Sequence, residues 1–303
     1  MRLVTFTRPG GAAAVGALAG DQIVDLSAAD PEFSSMTALI AAGPRVWKLA
    51  ESATASATGP VLPVEGTRLL APVPRPRKNV FCVGLNFRSH VEQNAIALGL
   101  PIEIPEVPLF FTKPPTAVVG PGGQIRRDRR LTSKLDWEVE LAVVIGRGGT
   151  WISPDDADRH IFGYTLLNDV SARDLQWRTS QFFYGKGQDT YCPLGPAIVT
   201  AGELPPLDQV RLELYVNGEL KQAEAAGNML FPPSVAIAEL SKGITLEPGD
   251  VISLGTPGGC GYQTVPEQYL VPGDVVECRA TGIGSLTNVV VEWPESKHGE
   301  GRI

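Results

Sequence analysis

Short apolar segments alternate with Gly, Pro and Asn-Gly turns along most of this chain. This pattern predicts β-strands joined by tight turns, with a strong hairpin signal at Asn217-Gly218. Helical patterns are few: Thr37–Leu49, the stretch after His90, and Pro232–Lys242. The predicted strands are 1–7, 14–18, 22–26, 80–83, 109–111, 138–145, 162–167, 197–200, 211–216, 251–254 and 289–293. We therefore expect a mostly β fold of the α+β class.

Composition divides the chain into four parts. Residues 1–70 mix short strands with one helical pattern, which predicts a small N-terminal α/β domain. Alternating prolines across 71–77 hold the chain extended and cannot continue a sheet, so this segment is the predicted linker. Residues 78–294 form the predicted large domain, and the polar end 295–303 is a predicted frayed tail.

Two glutamates, Glu138 and Glu140, stand one residue apart at the start of a predicted strand. Side chains at i and i+2 of a strand project to the same face, so the two carboxylates are expected to lie together. The following run Ala142–Ile145 is wholly apolar, which is typical of a strand covered on both faces. Covered carboxylates need a partner, and Mg²⁺ or Mn²⁺ fits oxygen ligands better than a soft metal does.

Charge and cysteine usage exclude several classes of function. The net charge of −7 and the pI of about 5.1 give no general attraction to nucleic acid or to anionic membranes. The four cysteines lack Cys-x-x-Cys spacing, which argues against structural zinc and a disulfide framework. No stretch reaches the ~18 apolar residues of a membrane span, and residues 1–30 lack a secretion-signal pattern. We expect a soluble cytoplasmic protein.

Four further positions are candidates for chemistry. Asp169 follows an apolar strand and either caps a helix or serves as a third oxygen ligand beside the two glutamates. His90 is the candidate base among three histidines, with a structural histidine as the alternative. Lys186 lies between two glycines that allow close approach of a ligand, although an exposed loop lysine fits the same pattern. Gly255-Thr256 either cradles an anion or forms a simple turn.

Several motifs together resemble the fumarylacetoacetate hydrolase superfamily, in its bacterial branch that handles 2-oxo acids from aromatic or sugar breakdown. The resemblance runs in order from about Ala71 to Trp293. The motifs are Cys82-Val-Gly-Leu-Asn-Phe, Asp136-x-Glu-x-Glu-Leu-Ala, Asn168-Asp-Val-Ser-Ala-Arg-Asp, Cys192-Pro-Leu-Gly-Pro, Leu246-Glu-Pro-Gly-Asp and Gly255-Thr-Pro.

This resemblance implies a mixed β-roll core, a homodimer, and Mg²⁺ or Mn²⁺ held by Glu138, Glu140 and Asp169. In such enzymes the metal chelates the carboxylate and the 2-oxo group of a pyruvate-like substrate. Positions that help to hold the substrate or its oxyanion match Lys186, Arg173, Gln176 and Thr256, with Gly255 beside the last of these.

One position departs from the family pattern. Hydrolytic members pair the histidine with a glutamate three residues later, whereas this chain has Gln93 there and Glu92 one step earlier. Gln93 can orient the imidazole of His90 by a hydrogen bond, but it cannot share a proton. Glu103 and Glu106 are possible replacements for the missing carboxylate. The sequence therefore predicts a weakened water-activating pair and an intact metal site.

The leading hypothesis is a metal-dependent hydrolase that cuts the carbon–carbon bond of an acylpyruvate, with His90 activating water. A decarboxylase of oxaloacetate, or a hydratase or tautomerase of related enols, is the alternative, and Gln93 favours it mildly. A catalytically silent protein that binds 2-oxo acids is a third reading. The distal part of the substrate is expected to meet the lid after His90 and the loop 178–183, with an aromatic wall at 181–184.

Overall fold

The computed structural model describes residues 1–293, and within them strands predominate over helices. The predicted tail 295–303 lies outside the described residues. None of the helices that the structure describes is long and apolar enough to cross a membrane. All four cysteines are buried and unpaired.

The N-terminal segment forms a small set of strands with two helices. The helix predicted over Thr37–Leu49 is divided in two, because Gly43 has a φ of +80° and Pro44 begins a new helix. The strands are β1 Arg2–Thr7, β2 Ala13–Ala19, β3 Gln22–Asp25, β4 Val61–Pro63 and β5 Leu69–Leu70, and the helices are α1 Met36–Ala41 and α2 Pro44–Ala55.

The middle of the chain supplies most of the central strands. The helix expected after His90 is present as α3, which ends at Gly99 in the left-handed region. The strands are β6 Val80–Gly84, β7 Leu109–Lys113, β8 Val118–Val119, β9 Gln124–Arg127, β10 Leu135–Asp136, β11 Val139–Ile145, β12 Ile161–Asn168, β13 Ser171–Ala172 and β14 Cys192–Thr200, and the helices are α3 Arg88–Leu98, α4 Arg173–Gln176 and α5 Phe183–Lys186.

The remaining residues add a second sheet and one helix. Asn217 and Gly218, both with positive φ, form the predicted hairpin turn between its first two strands. The strands are β15 Arg211–Val216, β16 Glu219–Ala225, β17 Val251–Ser253, β18 Val275–Ala280 and β19 Gly284–Glu292, and the helix is α6 Pro233–Ser241.

Two large mixed sheets organise the described residues. The first has twelve strands along the path β4-β3-β2-β1-β14-β12-β11-β17-β6-β7, with β5 on β1 and β8 on β14. The second has the order β16-β15-β18-β19-β9, and β10 pairs separately with β13. The fold is therefore mostly β, as the sequence predicts. Strand β1 pairs with β14, so the N-terminal segment shares the large sheet; the division at the proline-rich segment 71–77 stays a prediction.

Strand β11 lies at the centre of the large sheet and is buried along its whole length. Leu141 and Val143 pack into one hydrophobic core, whereas Ala142 and Val144 pack into the other. The alternation arises because successive side chains of a strand point to opposite faces. Since β11 is antiparallel to both β12 and β17, its beginning meets the ends of these two strands, and polar side chains gather there.

Candidate active site

Three buried carboxylates meet at the beginning of β11. Glu138 precedes β11, Glu140 is its second residue, and Asp169 follows the end of β12. Antiparallel pairing places Val139 opposite Asn168, and the Asp169 amide donates to the Glu138 carbonyl at 2.8 Å. One carboxylate oxygen from each of the three lies within 4.8 Å of the others. The structure thus brings the three predicted metal ligands together.

Three buried cations surround this carboxylate cluster. Lys186 Nζ lies 2.8 Å from Glu138 Oε2 and 2.6 Å from Asp169 Oδ2. Arg173 Nη2 lies 2.7 Å from Glu138 Oε1, and Lys113 Nζ lies 2.6 Å from Asp169 Oδ1. Lys186 is therefore not an exposed loop lysine. Sequence reasoning missed Lys113, whose only signal is a lysine at the end of an apolar strand.

Burial and neighbouring charges shift the pKa values of these groups in opposite directions. Burial alone would raise the pKa of Glu138, but Lys186 and Arg173 outweigh it and hold that pKa well below its ordinary value. Burial alone would lower the pKa of Lys186, but Asp169 and Glu138 raise it. Glu138 is therefore a carboxylate and Lys186 an ammonium at neutral pH.

Glu140 differs from the other two carboxylates because it contacts no cation within the described residues. Its Oε2 accepts from the Ser253 hydroxyl at 2.5 Å and from the Gly255 amide at 3.0 Å. Burial, followed by the charges of Asp169 and Glu138, raises the pKa of Glu140 well above its ordinary value. An additional positive charge at this point would reduce the electrostatic repulsion between Glu140 and the other two carboxylates. The all-oxygen donor set fits a hard divalent cation such as Mg²⁺ or Mn²⁺.

His90 lies on α3 and lines the same cavity as Glu138 and Glu140. Its Nδ1 atom lies 3.1 Å from Gln263 Nε2 and 3.7 Å from Cys260 Sγ. Burial lowers the pKa of His90 to about 4, so the imidazole is neutral at pH 7. Gln263 carried no signal in the sequence, because it stands 173 residues away in a loop without a recognisable motif.

Gln93 does not make the expected contact with His90. Its Oε1 atom instead accepts from the Gly259 amide at 2.8 Å, and Gln263 takes the place beside the imidazole. Glu92 lies 3.8 Å from Arg88, its neighbour one turn earlier on α3. The two other proposed replacements, Glu103 and Glu106, are exposed, and no hydrogen bond or ion pair described within residues 1–293 joins either to His90. Helix spacing alone would allow the contact with His90, but tertiary packing directs the side chain at position 93 to the 258–259 loop.

The predicted substrate-binding residues lie in two groups. Arg173 donates from Nη1 to Gln176 Oε1 at 3.0 Å, and both side chains line the cavity. Thr256 also lines the cavity, and its hydroxyl oxygen accepts from Gln222 Nε2 at 2.9 Å, which leaves the hydroxyl hydrogen available. The Gly255 amide is directed at Glu140, so it orients that carboxylate and does not itself face a substrate.

The aromatic wall predicted from Gln181 to Tyr184 is reduced to one residue. Phe182 lines the cavity and packs edge-on against Phe111, with ring centroids 5.8 Å apart. Phe183 and Tyr184 are exposed. Further apolar lining comes from Val83, Leu85, Leu98 and Trp177. The cavity is therefore lined by carboxylates and cations together with apolar side chains.

Comparison with known proteins agrees with this geometry. A family model described as "Fumarylacetoacetate (FAA) hydrolase C-terminal" matches residues 79–291. The chain is 46% identical over 223 residues to the oxaloacetate tautomerase YisK of Bacillus subtilis (strain 168), covering 74% of this chain and 73% of that protein. It is 39% identical over 298 residues to the mitochondrial oxaloacetate tautomerase FAHD2A of Homo sapiens, covering 96% and 92%.

A solved structure resembles the whole described fold. The fumarylacetoacetate hydrolase EaFAH from psychrophilic Exiguobacterium antarcticum aligns with a TM-score of 0.82 and 38% identity, covering 97% of this chain and 100% of that one. The family match spans the carboxylate cluster, α3 and the loop of Gln263. The chain therefore belongs to the fumarylacetoacetate hydrolase family and is an enzyme of that superfamily.

Proposed function

We propose that this protein is a metal-dependent oxaloacetate tautomerase, which interconverts the enol and keto forms of that 2-oxo acid. Two relatives that match it over most of its length carry this activity in their names. The proposal replaces acylpyruvate cleavage as the leading hypothesis and keeps the same chemistry, in which an enolate is stabilised in the cavity.

The observation that carries the proposal is the environment of His90 Nδ1. This atom faces the Gln263 amide and the Cys260 thiol, whereas water activation by a histidine–carboxylate pair requires a carboxylate there. Loss of a general base typically costs about 10²–10⁴ in rate. Tautomerisation needs no attack of water on carbon, so it does not depend on this pair.

The charges in the site support a divalent cation together with a dianionic substrate. Four buried carboxylates, on Asp136, Glu138, Glu140 and Asp169, face three buried cations, on Lys113, Lys186 and Arg173. The site is thus short of positive charge before any substrate arrives. Glu138, Glu140 and Asp169 would hold Mg²⁺ or Mn²⁺, which when bound polarises the 2-oxo group and stabilises the enolate.

The protein's own residues then bind the substrate and move a proton. The Arg173 guanidinium and the Thr256 hydroxyl line the cavity as donors for the substrate's oxygens. The Lys186 ammonium has three N–H donors, and its carboxylate partners Glu138 and Asp169 use two of them. In the enol-to-keto direction Lys186 donates its remaining proton to C3, and the proton that leaves the enol oxygen restores the ammonium.

The test follows the loss of enol absorbance of freshly dissolved enol-oxaloacetate, with Mg²⁺, Mn²⁺ or EDTA, while pyruvate is measured in parallel. We expect metal-dependent acceleration of ketonisation without matching pyruvate formation. The variant Glu140→Gln should abolish the acceleration, and Glu239→Gln, at a partly exposed position of α6 that does not line the cavity, should retain it.

Two other outcomes would redirect the assignment. Pyruvate formed at the rate of enol loss would identify a decarboxylase. Cleavage of acylpyruvates faster than ketonisation of oxaloacetate would restore the hydrolase reading, which the name of the Exiguobacterium structure supports. Metal binding without turnover of either substrate class would leave a binding protein.

A further inference from the structure

We infer that Gln263 fixes the tautomer of His90, so that the imidazole presents an Nε2–H donor to the cavity instead of a basic nitrogen. The tautomer of His90 depends only on the contacts of these two side chains. That the Nε2–H group binds an oxygen of the substrate rests on the proposed function. Gln263 is thus a positioning residue that acts through His90.

The orientation of the Gln263 amide follows from its neighbours. Its Oε1 atom accepts from two backbone amides, those of Gly259 and Cys260, each at 3.0 Å. Its Nε2 atom faces the His90 carbonyl oxygen at 3.3 Å and the Tyr262 hydroxyl oxygen at 3.1 Å, and that hydroxyl donates onward to Asn94 Oδ1 at 2.8 Å. Reversing the amide would place its NH₂ group against two N–H donors and its oxygen against acceptors. The geometry therefore permits one orientation.

This orientation determines which nitrogen of His90 carries the proton. Gln263 Nε2 lies 3.1 Å from His90 Nδ1, and an amide nitrogen can only donate, so Nδ1 must accept. The second neighbour of Nδ1 is the Cys260 thiol, and burial raises the pKa of that thiol so that it keeps its proton. A neutral imidazole carries one N–H, which is therefore at Nε2.

The Nε2–H group is free to meet a ligand. No hydrogen bond described within residues 1–293 uses His90 Nε2, and His90 lines the cavity together with Glu138 and Thr256. In this tautomer Nε2 has no lone pair with which to accept a proton from water. A neutral imidazole can instead donate a hydrogen bond to an enolate or carboxylate oxygen of the substrate. Proton exchange with carbon is then left to Lys186.

The first experiment reads the tautomer directly, without substrate. Long-range ¹H–¹⁵N correlation spectra of ¹⁵N-histidine-labelled protein report the protonation of each ring nitrogen, and His90→Gln identifies the His90 signals among three histidines. We expect Nε2 protonated and Nδ1 unprotonated in the wild type. In Gln263→Glu, one carboxylate oxygen keeps the backbone amides and the other accepts from the imidazole, so Nδ1 should become protonated.

The matched control is Gln268→Glu, which adds the same charge five residues later at an exposed position, where the side chain accepts from Lys221 and does not contact His90. Its His90 tautomer should be that of the wild type. Protonated Nδ1 in the wild type, or an unchanged tautomer in Gln263→Glu, would overturn the inference.

The second experiment separates a donor from a base at His90. A glutamine side chain offers an N–H donor near the position of Nε2 but cannot accept a proton at that nitrogen. We expect His90→Gln to retain ketonisation within about tenfold, and His90→Ala to lose more; a true base would cost about 10²–10⁴ in both variants. Equal and large losses would overturn the donor role. Absence of any ketonisation in the wild type would overturn the proposed function, and the spectra would still decide the tautomer.

Discussion

Asp136 and Arg173 form a fully buried ion pair, with Arg173 Nε 2.8 Å from Asp136 Oδ2. The same carboxylate accepts from the backbone amides of Gly261 at 2.7 Å and Tyr262 at 3.2 Å. Asp136 therefore connects the arginine that faces Glu138 with the loop that carries Gln263. One side chain orients both halves of the site, although it lies outside the cavity itself.

We predict that Asp136→Asn lowers the free energy of unfolding by about 3–5 kcal/mol, because removing one member of a buried pair leaves the other charge uncompensated. Urea unfolding followed by tryptophan fluorescence measures this loss. The control Glu267→Gln breaks the exposed pair with Lys134, 2.9 Å apart, and should cost less than about 1 kcal/mol. Equal losses in the two variants would show that Asp136 is not a structural connection.

The Lys113 ammonium forms a second buried ion pair, with Asp169. It contacts Asp169 Oδ1 at 2.6 Å and donates to the carbonyl oxygens of Val170, Tyr191 and Lys186. We predict that Lys113→Met also lowers the free energy of unfolding by about 3–5 kcal/mol, since it leaves three carbonyl oxygens without their donor and the buried Asp169 without the charge of Lys113.

Thermal unfolding of the metal-free protein would measure the effect of Lys113→Met. The matched lysine is Lys78, which pairs with Asp250 at 3.0 Å in a partly exposed position. Lys78→Met should lower the melting temperature much less. A Lys113→Met protein as stable as the wild type would show that the buried lysine does not hold Asp169 in place.

The carboxylate cluster predicts opposite effects of one substitution with and without metal. Glu140→Gln removes a buried carboxyl group whose ionised form is repelled by Asp169 and Glu138, so it should raise the melting temperature of EDTA-treated protein. The same substitution should weaken Mn²⁺ binding by at least about 100-fold, since it removes a ligand and even outer partners of ligands cost 10–100-fold. Calorimetric titration with Mn²⁺ and thermal unfolding in EDTA measure the two effects. Unchanged Mn²⁺ affinity would place the ion elsewhere.

The hydroxyl of Thr256 is expected to bind a charged oxygen of the substrate. A hydrogen bond to a charged group contributes about 1.5–3 kcal/mol, so Thr256→Val should lower kcat/KM for oxaloacetate ketonisation by roughly 10–150-fold. Thr256→Ser keeps the hydroxyl and should stay within about threefold of the wild type. If Thr256→Ser loses the activity and Thr256→Val retains it, the contribution of this residue comes from its methyl group and not from its hydroxyl.

Gln222 holds Thr256 from outside the cavity and was not identified from the sequence. Its Nε2 donates to the Thr256 hydroxyl oxygen and to the Pro257 carbonyl at 2.8 Å, while its Oε1 accepts from the Val139 amide at 2.9 Å. Gln222 joins β16 to the beginning of β11. A polar residue within an exposed-looking strand gives no indication of such a contact before the sheets are assembled.

The sequence by itself determined the strand content and the pairing of Glu138 with Glu140. The period of two along a strand places their carboxylates on one face whatever the remaining chain does, and the apolar run after them predicts burial on both faces. It also determined membership of the family, since the motifs occur in order. These features depend on neighbouring residues or on patterns along the chain, so they can be predicted without the tertiary contacts.

Only the tertiary structure decided which side chains complete the site. Distant strands and loops supply three of these side chains, Lys113, Gln222 and Gln263. Pairing between β11 and β12 brings Asp169 next to Glu138. The imidazole of His90 is the clearest case, because spacing along α3 points to position 93 whereas the fold directs Gln93 to Gly259 and places Gln263 beside the ring. Hydrogen bonds are directional and reach about 3 Å, so the assembled backbone decides which donor meets which acceptor.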